Sequence, residues 1–147
     1  MELLIHIREY ETEGEKTYPT KRGVCFSAAI LATFRMLLID ISQALKSVKL
    51  GIVEEYSAHV GRGIYCTITK DFCFANLRYF FTVDGKPMPT KKGICLNTQE
   101  CEELRDILRN IHDIDDEIQR AIPCLFSGSH TEPGSCVTCY PINLRKN

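Results

Sequence analysis

Residues 19–27, Pro-Thr-Lys-Arg-Gly-Val-Cys-Phe-Ser, return seventy positions later as Pro-Thr-Lys-Lys-Gly-Ile-Cys-Leu-Asn at 89–97. The same offset, without a gap, matches Arg8 with Arg78, Thr12 with Thr82, Lys16 with Lys86, Arg35 with Arg105, Leu38 with Leu108 and Ile41 with Ile111. A chain of this kind carries one supersecondary unit twice. A unit too small to bury its own apolar face stacks on its twin, so the repeat constrains the fold more than any single motif.

Each copy reads as strand followed by helix. Leu3, Ile5 and Ile7 alternate with Leu4, His6 and Arg8, which predicts a half-buried strand to about residue 10. A polar turn region follows at 11–18, then a short strand at 24–26. Ser27 is a fitting N-cap for a helix over 28–46. Its apolar positions, among them Ile30, Phe34, Leu38 and Ile41, cover more than half the circumference, as in a helix buried on most sides.

In the second copy, Gly61 and Gly63 mark a turn or bulge before a strand at 64–69. Lys70-Asp71 signals a hairpin, 72–83 a long strand, 84–87 a turn and 93–96 a short strand. Asn97 with Glu100 makes a capping-box pair. The stripe Cys101, Leu104, Ile107, Leu108, Ile111, Ile114, Ile118 predicts one amphipathic helix that Pro123 ends, seeking a partner helix. The expected layout is α+β: a curved antiparallel sheet and a helix, twice, as ββα over residues 1–48 and ββββα over 58–122. The two units pair through their helices, with 49–57 as connector and 123–147 as a cysteine-containing tail.

A chain of 147 residues has room for one domain or two small dependent ones. The net charge of -1 argues against a simple basic binder, but it conceals polarity. Residues 59–97 carry six cations and two acids; residues 98–121 carry eight acids and three cations. One face can meet an anion while another stays solvated. The opening residues run straight into a strand pattern without a signal peptide, so an intracellular setting with reduced thiols is expected for the eight cysteines. No apolar window is long enough and free enough of charge to predict a membrane span.

Chemistry finds little support. There is no Gly-rich phosphate loop, no Gly-x-Ser-x-Gly and no His-Glu-x-x-His, and an enzyme is not expected. Cys124, His130, Cys136 and Cys139 are ligand types that a structural zinc accepts. Only one Cys-x2-Cys knuckle is present, however, so a tail with incidental cysteines is the preferred reading, and no metal or cofactor is assigned. Cys25 and Cys95, at matching positions, read as small packed groups.

Two stretches resemble the single-stranded-DNA-binding domain of the positive cofactor four family of transcriptional coactivators. Leu4-Ile5-His6-Ile7-Arg8-Glu9-Tyr10 looks like that family's third strand. Lys91-Lys92-Gly93-Ile94-Cys95-Leu96-Asn97, with 111–118, looks like its fourth strand and helix end. The resemblance implies tandem divergent copies, the first truncated because it lacks the opening hairpin. It also implies single-stranded DNA as ligand, the transcription machinery as partner, a nuclear location, and a pseudo-dimer within the chain or a homodimer.

Single strands are held by cations that track phosphates and by rings on which bases stack. Carried over by position, the candidates are Arg78, Phe81, Lys70, Lys91 and Lys92 in the second copy and Arg8, Lys21 and Arg22 in the first, with Arg62 beside them. Glu11 stands in the first copy where the ring belongs, so that copy is expected to bind weakly. Three alternatives remain open. Arg8 and Arg78 are equally ordinary solvent-facing strand residues, Phe81 a core residue, and the two basic pairs plain turn residues. At the level of function, a protein-interaction scaffold without nucleic-acid binding and an RNA-binding variant compete with the DNA reading.

Overall fold

The computed structural model describes residues 3–111 and 116–123. The chain runs β1 (Leu4–Glu13), β2 (Lys16–Ser27), α1 (Ala28–Lys49), β3 (Glu55–Gly61), β4 (Ile64–Thr69), β5 (Phe72–Val83), β6 (Lys86–Leu96), α2 (Thr98–Arg109) and α3 (Asp116–Arg120). This is the expected α+β order, a two-stranded sheet then a helix and a four-stranded antiparallel sheet then a helix. The third strand starts at Glu55, inside the segment expected to be connector.

The two long hairpins are larger than the sequence suggests. The polar segment 11–18 is not a turn region: Glu13 pairs with Lys16, so only Gly14 and Glu15 turn the chain. In the second copy Val83 pairs with Lys86, and Asp84 (φ 51°) with Gly85 (φ 79°) forms the loop. Positive φ at both central residues is the type I′ requirement, which matches the right-handed strand twist. Polar strand ends that overhang the core look like loop to periodicity, because they have no buried face to alternate against.

Ser27 caps α1, its Oγ accepting from the Ile30 amide. The helix runs three residues past the expected end and forms the centre of the molecule, with Ile30, Leu31, Phe34, Leu38, Ile41 and Leu45 all buried. Phe26 of β2 stacks on Phe34 with ring centroids 5.2 Å apart. Val60, Ile64, Cys66, Ile68, Ala75 and Leu77 bring the four-stranded sheet onto the same helix. By length and apolar content α1 would also cross a membrane, but half of that stretch is buried inside the protein.

The helix after β6 is a correction to the sequence reading. The capping box forms as expected, Asn97 Oδ1 accepting from the Glu100 amide and Glu100 Oε1 from the Asn97 amide. The single helix to residue 118 does not: α2 ends at Arg109 with Asn110 as its cap, and α3 starts at Asp116. Both pieces bury part of the apolar stripe, Cys101, Leu108 and Ile118 in one core, while Ile107 stays exposed. α2 lies against α1, where Lys46 reaches Glu102 at 3.4 Å and Lys49 donates to Thr98.

Candidate nucleic-acid interface

The motif Pro-Thr-Lys-(Arg/Lys)-Gly builds a bulge. In β5–β6, Arg78 pairs with Gly93 and Phe80 with Pro89, so Thr90, Lys91 and Lys92 face the one residue Tyr79. In β1–β2, Arg8 pairs with Gly23 and Tyr10 with Pro19, leaving Thr20, Lys21 and Arg22 opposite Glu9. Extra residues on one strand bend it outward and re-aim its side chains. The basic pairs therefore sit on bulged strands, not in turns as expected, and all four cations are exposed.

Each bulge is held by the same three bonds. Arg78 Nη1 donates to the Thr90 carbonyl at 2.8 Å, Thr90 Oγ1 donates to the Tyr79 carbonyl at 2.8 Å, and the Lys92 amide donates to Thr90 Oγ1 at 3.1 Å. Seventy residues earlier Arg8 donates to the Thr20 carbonyl, Thr20 Oγ1 to the Glu9 carbonyl, and the Arg22 amide to Thr20 Oγ1. A Cβ on Gly93 would lie 2.6 Å from the Leu77 carbonyl oxygen, and one on Gly23 2.7 Å from that of Ile7. Glycine permits the strands to close on the bulge. Arg8 and Arg78 thus clasp backbone, with Arg78 Nε also donating to Asn76 Oδ1.

The two bulges differ in what faces them. Arg22 is pinned between Glu9 and Glu11, both at 3.0 Å. The residues at the matching places beside Lys92 are Tyr79 and Phe81, and among the described residues no ion pair engages Lys91 or Lys92.

Between the hairpins lies a cleft of about 650 Å³ lined by Arg8, Lys21, Cys25, Tyr79, Lys91 and Lys92. Tyr79 spans it. Its hydroxyl donates to the Cys25 carbonyl at 3.0 Å and accepts from the Cys25 amide at 3.1 Å, fastening β5 to β2. Burial pushes the phenol above its ordinary pKa of 10.0, against the Arg62 and Arg8 guanidinium charges that favour its ionised form. Four cations from both copies therefore converge on one concave surface.

The other candidates stand elsewhere. Arg62, at the β3–β4 turn with φ 51°, is half-buried, and its carbonyl accepts from His59 Nε2. Lys70 lies at the β4–β5 loop, 3.8 Å from Glu54. Phe81 is 52% exposed near the hairpin tip, opposite Met88. Three residues after Arg78, it falls on the opposite face of the strand. Sequence reasoning missed the rings that share the Arg78 face. Tyr65 pairs with Arg78 across the sheet, stacks on His59 at 4.7 Å and meets the edge of Phe80 at 5.4 Å. It also missed Tyr79, although the break in the repeat from Glu9 to Tyr79 marks the place. Cys124, His130, Cys136 and Cys139 lie outside the described residues.

The helix-backed sheet thus presents a basic cleft and an aromatic face, groups whose chemistry can meet phosphates and stack on bases. Residues 70–107, from the β4–β5 loop into α2, match the family described as Transcriptional Coactivator p15 (PC4). The match covers the second bulge and both of its lysines. No curated protein and no solved structure matches the chain.

Proposed function

We propose that the protein binds single-stranded or melted DNA as a nuclear, coactivator-like component of transcription, with the second copy as the binding half and the first as its support. The observation that carries this reading is the inter-hairpin cleft, where Lys91 and Lys92 carry no acid partner among the described residues and Lys21 and Arg8 join them. The family match over the same bulge supports it. Phosphates follow the lysines while bases stack on exposed rings such as Phe81, each stack contributing about 1–3 kcal/mol. The two copies act as a pseudo-dimer within one chain, α1 against α2.

The test is salt-dependent binding of a labelled single-stranded oligonucleotide. Lys91→Ala with Lys92→Ala should weaken binding and reduce the salt slope by about 0.7 per lysine. Arg78→Ala is a poorer probe, because it also opens the bulge. Absence of binding at low salt, or binding indifferent to both lysines, removes the proposal and leaves the interaction scaffold. Competition by RNA of the same sequence separates the RNA-binding variant.

A further inference from the structure

Among the described residues no strands stand to the β1–β2 sheet as β3 and β4 stand to β5 and β6, so the two helices are covered differently. The β3–β4 turn seats on α1 and on β5. A Cβ on Gly61 would meet Ile30 at 2.8 Å, and the Phe80 amide donates to the Gly63 carbonyl at 2.7 Å. Beneath that turn Ile30, Phe34, Leu37 and Leu77 are all buried.

Seventy residues away the matching positions are Glu100, Leu104, Ile107 and Ile7, and they line an open groove of about 500 Å³ between β1, β6 and α2. Ile107 is 64% exposed and Tyr10, the counterpart of Phe80, 59%. Leu104 and Ile7 are half-buried where their counterparts are fully covered. Among the described residues no strand pairs with the second edge of β1, whereas β5 is flanked on both sides by β4 and β6. The groove therefore combines an apolar floor with a row of unpaired backbone donors and acceptors, the two requirements for strand addition.

We propose that this groove docks an extended, basic segment of a partner protein, which pairs with β1, sets alternate apolar residues on Ile7, Leu104 and Ile107, and lays lysines or arginines against Glu100 and Glu103. Charge selects the occupant. Glu9, Glu100 and Glu103 line the groove beside the cation Arg8, and Glu11 and Glu13 continue the acidic edge along β1; Arg22 pairs with Glu9 and Glu11, which leaves five acids against two cations. A second copy of this chain is a poor occupant, since β1 carries Glu9, Glu11 and Glu13 against Arg8 and pairing it with itself brings two net-negative strands together. The nucleic-acid cleft is lined by a separate set of groups apart from Arg8, and a polyanion is repelled from the groove.

The probe is a fluorescein-labelled peptide, acetyl-Lys-Val-Lys-Val-Thr-Val-Lys-amide, titrated with the full chain at physiological salt, beside the same peptide with glutamate for lysine. The lysine peptide should bind saturably, slow hydrogen exchange at alternate amides of β1, and lose about tenfold or more in affinity on Ile107→Lys or Glu103→Lys. Both side chains are exposed, so the fold should survive, as the helical circular dichroism will show. Four results overturn the proposal: no saturable binding, equal binding of the glutamate peptide, binding unchanged in both variants, or self-association of the free chain that Ile107→Lys abolishes. The last gives the groove to a second copy.

Discussion

Lys92 and Arg22 occupy the same point of two bulges with the same hydrogen bonds, and only their neighbours differ. Glu9 and Glu11 hold Arg22, while Tyr79 and Phe81 stand beside Lys92. An exposed ion pair contributes only about 0.2–1 kcal/mol to stability, so Glu9→Ala with Glu11→Ala should leave the fold intact. It should raise affinity for single-stranded DNA by about threefold or more, measured by anisotropy, because a guanidinium is released and two repulsive charges vanish. Tyr79→Phe tests the fastening of the hairpins. It strands the amide and carbonyl of Cys25, and should cost about 1–3 kcal/mol in urea unfolding. Gly93→Ala places a methyl group against the Leu77 carbonyl and should cost a similar amount.

The elements were legible in the sequence where a face is buried and obscure where it is not. Strand alternation at Ile5 and Ile7, and helical spacing from Ile30 to Leu45, report the core directly. The outer halves of β1, β2 and β6 carry mostly polar residues on both faces, and Pro-Thr-Lys reads as a turn because a bulge uses the same chemistry. The capping box was readable because Asn97 and Glu100 are close in sequence. Asn97→Ala should lower stability by about 1 kcal/mol, read from the urea midpoint at unchanged slope. The division into α2 and α3 was not readable, since the apolar stripe keeps its spacing across the break.

The whole molecule unfolds around α1, which belongs to the first copy in sequence yet covers the sheet of the second. Phe34→Ala should cost about 3–5 kcal/mol and lower a single transition that both halves share; separate melting of the two copies would contradict this. Burial raises the Cys66 thiol from 9.0 to about 12 and the Cys101 thiol from 9.0 to about 11, and it lifts the Tyr56 phenol from 10.0 to about 12. These groups are neutral in the folded state and ionise more easily when unfolded. Their stabilising effect is complete below pH 9 and declines as pH rises toward 12. Urea midpoints should therefore fall in that window, and less so in Cys66→Ala than in the unaltered chain.

What the sequence determined by itself is local or periodic: the seventy-residue repeat, the α+β order, both helix starts and the residues of the core. Those depend on neighbours a few positions apart, and a repeat states each of them twice. Only the tertiary structure decided which cations converge, because Arg8, Lys21, Lys91 and Lys92 meet through the docking of one hairpin on the other, fastened by a tyrosine that the repeat does not share. The same docking leaves a groove beside α2 that no strand covers among the described residues. Where one sheet has no covering hairpin among the described residues, it exposes what its twin buries, and that surface exists only once both copies are folded together.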